Sequence, residues 1–520
     1  MKCRTSHLSP SRRGFVGVWF QIMFGSLNFS ATAGAAWYLW RAQIELPRAE
    51  AELQAAGYSL DIVQACAPEL PEAGHFGATP LLKGLATRDE DLTPEIKTWI
   101  EAITALSMNR GKKDQRLHMP EDSGEKPIPW AAWREWIAMG LQWEVPAEKE
   151  DAKAVLLAMR KKTAACLPPL LEAARTRKHS SFIPSQRARV AASLQRGDVF
   201  ADFDFPGSRL MPLVRILGLQ MDAAFAAGDA EEAFNLVTVL IALRGLHAND
   251  VSRINFLVRI TIDRTLFDIT QRNISFRRMN AHLLMQMQAV FAPDTTARDY
   301  ERAMIMEVAS SQYWMDQVAK PRGSLNAIQS LGKLLGLREL KGQQNPGSQR
   351  ILKSVNDRSK AIRIRSFLDE MQALKSGGLL GYYRRTKELD DLPESGWLGW
   401  LQPHEMLAGS ARRGYSGIMA GLIHFEMRRR MLLVACALER HRLVGGVAPD
   451  TLGALPKQLL PEIPLDLDGQ PLRFRRKIDG WVLWSVGLDL KDDWNGRTPP
   501  PVEDPEKKAS WKAADWQWQQ

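Results

Sequence analysis

The stretch from Ser208 to Leu246 reads SRLMPLVRILGLQMDAAFAAGDAEEAFNLVTVLIALRGL. Its apolar side chains recur every three or four residues, which is the spacing of one face of an α-helix. The pattern is interrupted at Gly228-Asp229, where glycine can end one helix and aspartate can cap the next. Connections of two or three residues make consecutive helices antiparallel neighbours. The sequence therefore predicts a mainly α-helical fold of stacked antiparallel helical hairpins.

The same spacing predicts which side chains are buried on three successive helices. The predicted stripes are Leu210, Val214, Leu217, Met221 and Phe225 on the first helix, Leu236, Leu240 and Leu243 on the second, and Val251, Ile254, Val258 and Ile262 on the third. No fixed repeat period accompanies them, so the pattern indicates no named family of helical repeats.

Length and composition limit the protein class and suggest a division into segments. A chain of 520 residues with 45% hydrophobic and 25% charged residues is globular, and its four cysteines exclude a disulfide-rich scaffold. The predicted segments are a cytoplasmic leader and transmembrane anchor (1–40), a helical domain (41–319), a basic irregular linker (320–366), a helical segment (367–445), a small β module (446–496) and a tail (497–520).

Residues 14–40 form a run of 27 residues without a formal charge. A helix of ~20 largely apolar residues is long enough to span a bilayer. Four basic residues and no acidic residue precede the run, and Trp37, Tyr38 and Trp40 lie where an interfacial aromatic belt is expected. We therefore expect residues 14–40 to bind the membrane as a single span, with residues 1–13 in the cytoplasm and the body exported.

Two other interpretations of this run stay open from sequence alone. A cleaved signal peptide also has a basic start, an apolar middle and small residues such as Ala31-Thr32-Ala33. A buried helix of a soluble protein is the third possibility. Export would leave three cysteines, Cys66, Cys166 and Cys436, in the body, and we expect them to be small core residues.

The positive charge of the chain is concentrated rather than spread. The net charge is +10, and residues 320–366 hold eleven Lys and Arg residues against Glu339 and Asp357. A solvated loop is one interpretation of this stretch, and contact with anionic lipid or an acidic cell-wall polymer is the other. Nucleic acid is not an expected partner, because its recognition requires a basic stripe on a folded face.

The C-terminal part changes from helical to β periodicity. Side chains alternate over 471–476 and again over 481–486, and Asp479-Gly480 between them is typical of a hairpin turn. The module reads ERHRLVGGVAPDTLGALPKQLLPEIPLDLDGQPLRFRR over 439–476, and WVLWSVGLDLKDDWNG over 481–496.

This module, placed after a long helix, resembles uncharacterised membrane-anchored proteins of planctomycete and verrucomicrobial bacteria. The resemblance extends more loosely to residues 40–90 and 200–270. It implies a single-pass anchor in a bacterial inner membrane with the body in the periplasm, but no activity. The module is also similar to the C-terminal part of the major pseudopilin of type II secretion, whose closing loop binds calcium.

The pseudopilin resemblance implies that Asp489, Asp492 and Asp493 are calcium ligands, and carboxylates are oxygen ligands that calcium accepts. Two residues depart from the pseudopilin pattern, since Leu490 replaces a glycine and Lys491 adds a positive charge. The pilin processing site is also incomplete, because Gly14-Phe15 is followed by Trp19 where the family has Glu. We therefore do not expect assembly into a pilus.

No catalytic motif indicates a reaction. The chain contains no His-Glu-x-x-His, Cys-x-x-Cys, Gly-x-Ser-x-Gly or P-loop motif. Asp202-Phe-Asp204 and Asp466-Leu-Asp468 give only the weak Asp-x-Asp pattern, which we interpret as turn or cap residues. The sequence favours a non-enzymatic cell-envelope protein that acts through protein or envelope interactions. An exported hydrolase-type enzyme with a dispersed active site is the alternative.

Overall fold

The structure is a computed structural model. It describes residues 37, 39–66, 74–86, 94, 97, 128–177, 186–196, 207–246, 253–319, 346–391, 415–478, 480–493 and 516–519. The chain divides into two compact units. The first unit comprises Met1–Ser59, Ser310–Asp369 and Leu392–Arg413, and the second comprises Leu60–Ala309, Glu370–Asp391 and Gly414–Gln520.

The protein is mainly helical and carries a small antiparallel sheet, which confirms the predicted class. The helices of the described residues are α1 (39–55), α2 (Ile62–Ala65), α3 (Pro80–Ala86), α4 (Trp130–Glu135), α5 (Asp151–Thr163), α6 (Leu167–Thr176), α7 (Gln186–Arg196), α8 (Gly207–Ala226), α9 (Ala230–Gly245), α10 (Arg253–Ser275), α11 (Ala281–Phe291), α12 (Thr296–Ala319), α13 (Pro346–Asp390) and α14 (Tyr415–Gly445). The strands are β1 (Arg473–Arg476), β2 (Trp481–Ser485) and β3 (Trp516–Gln519).

The predicted break between α8 and α9 is confirmed. Gly228 has a φ of +74°, and the N–H groups of Gly228 and Asp229 donate to the carbonyls of Phe225 and Ala224. This is the hydrogen-bond pattern of a glycine-ended helix. The Asp229 carboxylate then accepts the N–H of Glu232 at 3.1 Å and caps α9. The predicted stripes of both helices are buried, and α8 packs against α5, α9 and α10 in the core of the second unit.

The predicted inner stripe of α10 is confirmed only in part: Ile262 is buried, Val258 is half-buried, and Val251 lies outside the described residues. Ile254 is 60% exposed, whereas Arg259 and Asp263 are buried. The Arg259 guanidinium donates to Asp299 at 2.7 Å and lies beside Asp263, so charged groups occupy positions that face the interior. The periodicity of apolar residues does not reveal a buried helix face when the residues at its centre are charged. Burial raises the pKa of Asp263, even though Arg244 and Arg259 both act to lower it.

The predicted irregular linker over 320–366 is helical where the structure describes it. Residues 320–345 lie outside the described residues, and α13 begins at Pro346, a residue well suited to the first turn of a helix. Arg358, Lys360 and Arg363 are buried on α13 rather than solvated. The sequence predicts a loop here because the acids that pair with Arg358 and Lys360 inside the first unit are distant in the chain.

Helix α13 contains a sharp reversal at Gly378, where φ is +60° and ψ is −157°. The Tyr382 hydroxyl donates to the Glu370 carboxylate, although twelve residues of straight helix would separate these positions by ~18 Å. A Cβ at Gly381 would lie 2.7 Å from the carbonyl oxygen of Ala373. The two arms therefore fold back on each other as a helical hairpin within the second unit.

The predicted β-hairpin is confirmed and gains a third strand. β1 and β2 are antiparallel, with Arg473 opposite Trp484, while Asp479 of the turn lies outside the described residues. β3 pairs with the other edge of β2, with Val482 opposite Gln519, so the sheet order is β1-β2-β3. The sequence predicts only a tail over 497–520, because four alternating residues in a charged and proline-rich segment are too short a signal.

The three cysteines of the body, Cys66, Cys166 and Cys436, are free and buried, as predicted for core residues. Burial raises the pKa of the Cys166 thiol to about 12. Within the residues that the structure describes, no helix is long and apolar enough to cross a membrane. The predicted anchor over 14–40 lies outside the described residues except for Trp37, Leu39 and Trp40.

We predict that Gly378→Ala destabilises the protein by about 1–3 kcal/mol, because only glycine adopts this backbone conformation without strain. The neighbouring Gly377→Ala is the matched control. Gly377 has no positive φ, and no atom lies within 4 Å of the place that a Cβ would take, so alanine there should be neutral or stabilising by up to ~1 kcal/mol. Thermal unfolding followed by circular dichroism measures both variants. Equal melting temperatures for the two would contradict the reversal.

Candidate functional site

Helix α1 has one buried face and one exposed face. Ala42, Ala49 and Leu53 are buried within the first unit, whereas Trp40 and Ile44 are 59% and 46% exposed. The two sets alternate at helical spacing, so Trp40 and Ile44 point to solvent while two alanines and one leucine face the interior. Two large apolar side chains on the exposed side are not expected for a helix whose exposed side meets only water.

Two ion pairs fix the orientation of α1 against α13. Arg358 donates to Glu45 at 3.1 Å, and Arg365 donates to Glu52 at 3.3 Å. Burial would raise the pKa of Glu45, but hydrogen bonds and charge from Arg41 and Arg358 together hold it below its usual value. Glu45 is therefore ionised at neutral pH, and both pairs act against rotation of the helix.

The end of α1 is also fixed. Gly57 has a φ of +82°, and the N–H groups of Gly57 and Tyr58 donate to the carbonyls of Gln54 and Leu53, as in a glycine-ended helix. The ring of Tyr58 then packs edge-on against Phe367 of α13 at 5.1 Å between centroids. The first unit thus holds α1 both along its length and at its C-terminal end.

The exposed face of α1 combines aromatic and cationic groups. Trp37 is 50% exposed, and the guanidinium of Arg41 lies 4.9 Å from its ring centroid. That distance is within the range of a cation–π contact. Together with Trp40 and Ile44 these side chains form an exposed apolar patch with a basic border, a pattern that marks interaction sites. We call Trp37, Trp40, Arg41 and Ile44 the aromatic face.

A cavity of about 540 Å³ lies along the aromatic face. Arg48 and Arg365 extend its border, and the carboxylates of Glu45 and Glu52 lie between the arginines. Each glutamate is already paired, because Arg41 contacts Glu45 and Arg48 donates to Glu52 at 3.0 Å. The site therefore offers separated positive and negative groups beside an apolar wall.

The three predicted calcium ligands all belong to the turn that follows β2. Asp489 accepts the N–H of Lys491 at 3.1 Å, and Asp492 accepts the indole N–H of Trp484 at 3.4 Å, while Asp493 ends the described part of this turn. Leu490 has a φ of +60°, a conformation that glycine favours. Glycine is the residue that the pseudopilin pattern has at this position. Among the described residues, no group of three or more His, Cys, Asp or Glu side chains could hold a metal ion. Calcium binding stays a prediction of the resemblance.

The second Asp-x-Asp pattern lies in a turn. The buried Asp466 carboxylate accepts hydrogen bonds from the Ser485 hydroxyl at 2.6 Å and the Val486 N–H at 3.0 Å, and Arg473 donates to it at 2.6 Å. Asp468, which is partly exposed, also binds Arg473. These contacts join the turn to β1 and β2. The first pattern, Asp202 and Asp204, lies outside the described residues.

Sequence reasoning identifies only part of the aromatic face. It predicts Trp37 and Trp40 as an interfacial belt and includes Arg365 among the bases of 320–366, but it does not place Ile44, Arg48 or Arg365 at this site. Arg48 and Ile44 could have been found from their helical spacing to Trp40 and Trp37. Arg365 could not, because its place depends on the packing of α13 against α1.

Comparison with known proteins found no matching protein family, no matching curated protein and no matching solved structure.

We predict that Asp466→Ala lowers the free energy of unfolding by about 3–5 kcal/mol. The buried Ser485 hydroxyl and the Val486 N–H would lose their acceptor, and Arg473 would keep only Asp468. Asp468→Ala is the matched control in the same turn. Its carboxylate is partly exposed, so its removal should cost only about 1 kcal/mol or less. Chemical denaturation of each variant measures the difference. Similar losses for both would show that Asp466 is not the group that joins the turn to the sheet.

Proposed function

We propose that this protein is a membrane-tethered cell-envelope protein whose helical body acts in protein or envelope interactions. The aromatic face is the observation that supports this proposal. It begins where the uncharged run 14–40 ends, and it exposes Trp37, Trp40 and Ile44 beside Arg41. Tryptophan and arginine at the end of an apolar run are typical of the membrane–water interface.

The free energy of burying the exposed tryptophan surface also favours a position at the membrane–water interface. A tryptophan can bury roughly 150–250 Å², so the exposed half of each ring leaves about 100 Å² of apolar surface. At about 25 cal/mol per Å², removing that surface from water contributes ~2.5 kcal/mol for each ring. Arg41 can lie along the apolar surface and keep its charged end in the headgroup layer. The ion pairs of Glu45 and Glu52 prevent α1 from turning these rings inward.

The direction of the tether follows from the distribution of charge. Four basic residues precede the uncharged run, which supports a cytoplasmic start and a periplasmic body. The resemblance to membrane-anchored bacterial proteins supports the inner membrane as the location. We retain the proposal that residues 320–366 contact anionic lipid or a cell-wall polymer. Fewer of its basic side chains are exposed for that contact than the sequence predicts. Arg358 and Lys360 are buried in ion pairs, while the side chain of Lys353 is exposed on the same helix.

Protease treatment of intact spheroplasts tests the topology. We expect added protease to digest the body, because it lies in the periplasm, and to leave residues 1–13 protected. An epitope at each end of the full chain, detected by immunoblot, measures this. The membrane pellet should retain the full chain after alkaline carbonate extraction. A cleaved signal would instead release the body into the soluble periplasmic fraction, and complete protection of the body would contradict the proposal.

A further inference from the structure

We propose that the cavity along the aromatic face binds the headgroup of a phosphoethanolamine lipid, with the arginines on the phosphate and the glutamates on the ammonium. This inference rests on the proposed membrane tether, which places the site at headgroup depth. The cavity of about 540 Å³ lies within the usual range for small-molecule sites, ~300–1,000 Å³.

The charges alternate along one face of α1. Arg41, Glu45, Arg48 and Glu52 follow one another at steps of four, three and four residues. A rise of about 1.5 Å per residue spaces these groups roughly 4.5–6 Å apart along the helix. Arg365 of α13 adds a third guanidinium beside Glu52. A ligand with one anionic and one cationic group, separated by a short link, matches this alternation.

The arginines retain donors for a phosphate. Arg41 uses its Nε for Glu45, and Arg48 and Arg365 each use Nε for Glu52. A guanidinium carries four further N–H groups on its Nη atoms, and two parallel N–H donors match two phosphate oxygens. The existing ion pairs therefore orient the guanidinium groups and do not exhaust them.

The glutamates favour an ammonium over the other common headgroups. A carboxylate has about four lone-pair positions, so Glu45 and Glu52 can each accept a further N–H donor besides arginine. A trimethylammonium has no N–H to donate to them. A headgroup with a phosphate and no cation would leave the remaining acceptor positions of both carboxylates unused. The exposed rings of Trp37 and Trp40 offer apolar surface for the glycerol and the first methylenes.

Binding of short-chain lipids to the full chain in non-ionic detergent tests this inference. The probes are dihexanoyl phosphatidylethanolamine, phosphatidylcholine and phosphatidylglycerol, and isothermal titration calorimetry measures the dissociation constant of each. We expect phosphatidylethanolamine to bind at least tenfold more tightly than the other two. Arg48→Gln combined with Arg365→Gln should weaken its binding at least tenfold. Glu52→Gln should weaken phosphatidylethanolamine binding but not phosphatidylglycerol binding.

Lys353→Gln is the matched control, because it removes an exposed base from α13 outside the cavity and should leave all three affinities unchanged. Arg48→Gln alone is the second variant, since the Arg48 side chain is 74% exposed and its loss should not disturb folding. Equal affinity for the three lipids, tighter binding of phosphatidylglycerol, or unchanged phosphatidylethanolamine affinity in the Arg48 variants would overturn the inference.

The lipid-binding experiment and the spheroplast experiment test the two proposals independently. A chain that remains in the membrane pellet but binds the three lipids equally has the tether without the headgroup site. A chain that leaves the membrane pellet contradicts the proposed function, whatever its lipid selectivity.

Discussion

Two arginine–carboxylate pairs, Glu45 with Arg358 and Glu52 with Arg365, decide which face of α1 meets solvent. A helix turns by about 100° per residue, so a shift of one position would carry Trp40 from solvent toward α13. The Glu45–Arg358 pair is mostly buried, and removing one partner of such a pair costs about 3–5 kcal/mol. The buried Ala42 and Ala49 are small, and the larger apolar contacts of Leu53 and Tyr58 lie at the C-terminal end of α1. The charged pairs therefore orient the part of α1 that carries the aromatic face.

The second unit uses buried charge in the same way. Glu426 of α14 accepts hydrogen bonds from Arg429 and Arg430, and Arg429 also donates to the carbonyl of Phe291 at the end of α11. Burial would raise the pKa of Glu426, but the two arginines lower it below its usual value. Arg259 and Asp299 make a comparable link between α10 and α12. Apolar stripes bring these helices together, and the charged pairs add specific contacts that oppose a change of register.

This division of roles explains which features could be predicted from sequence. The break at Gly228-Asp229 and the β-hairpin are local, since glycine conformation, capping and strand alternation depend on neighbouring residues. The inner face of α10 and the helical state of 346–366 depend on partners distant in sequence, such as Asp299 for Arg259 and Glu45 for Arg358. From sequence alone a charged residue is therefore predicted to be exposed, because the oppositely charged residue that permits its burial cannot be identified.

The candidate site also contains residues that could be predicted from local sequence and residues that could not. Trp37 and Trp40 could be predicted, because an aromatic belt at the end of an apolar run is a local pattern. The cavity could not, because Arg365 reaches it from a helix more than 300 residues later in the chain. The aspartates of the acidic turn follow from resemblance alone, and the structure adds only that Leu490 adopts the conformation usual for glycine.

A spin label at Ile44→Cys tests most directly whether the aromatic face lies at the membrane. The full chain would be reconstituted in phosphatidylethanolamine-containing vesicles in a Cys3→Ser background, where Cys66, Cys166 and Cys436 are buried and unreactive. Electron paramagnetic resonance compares collisions of the label with oxygen, which concentrates in lipid, and with a water-soluble nickel complex. We expect the label at Ile44→Cys to favour oxygen, and a label at the exposed Gln54→Cys, near the other end of α1, to favour nickel. Equal nickel accessibility at both positions would show that this face of α1 meets water and would contradict the membrane assignment.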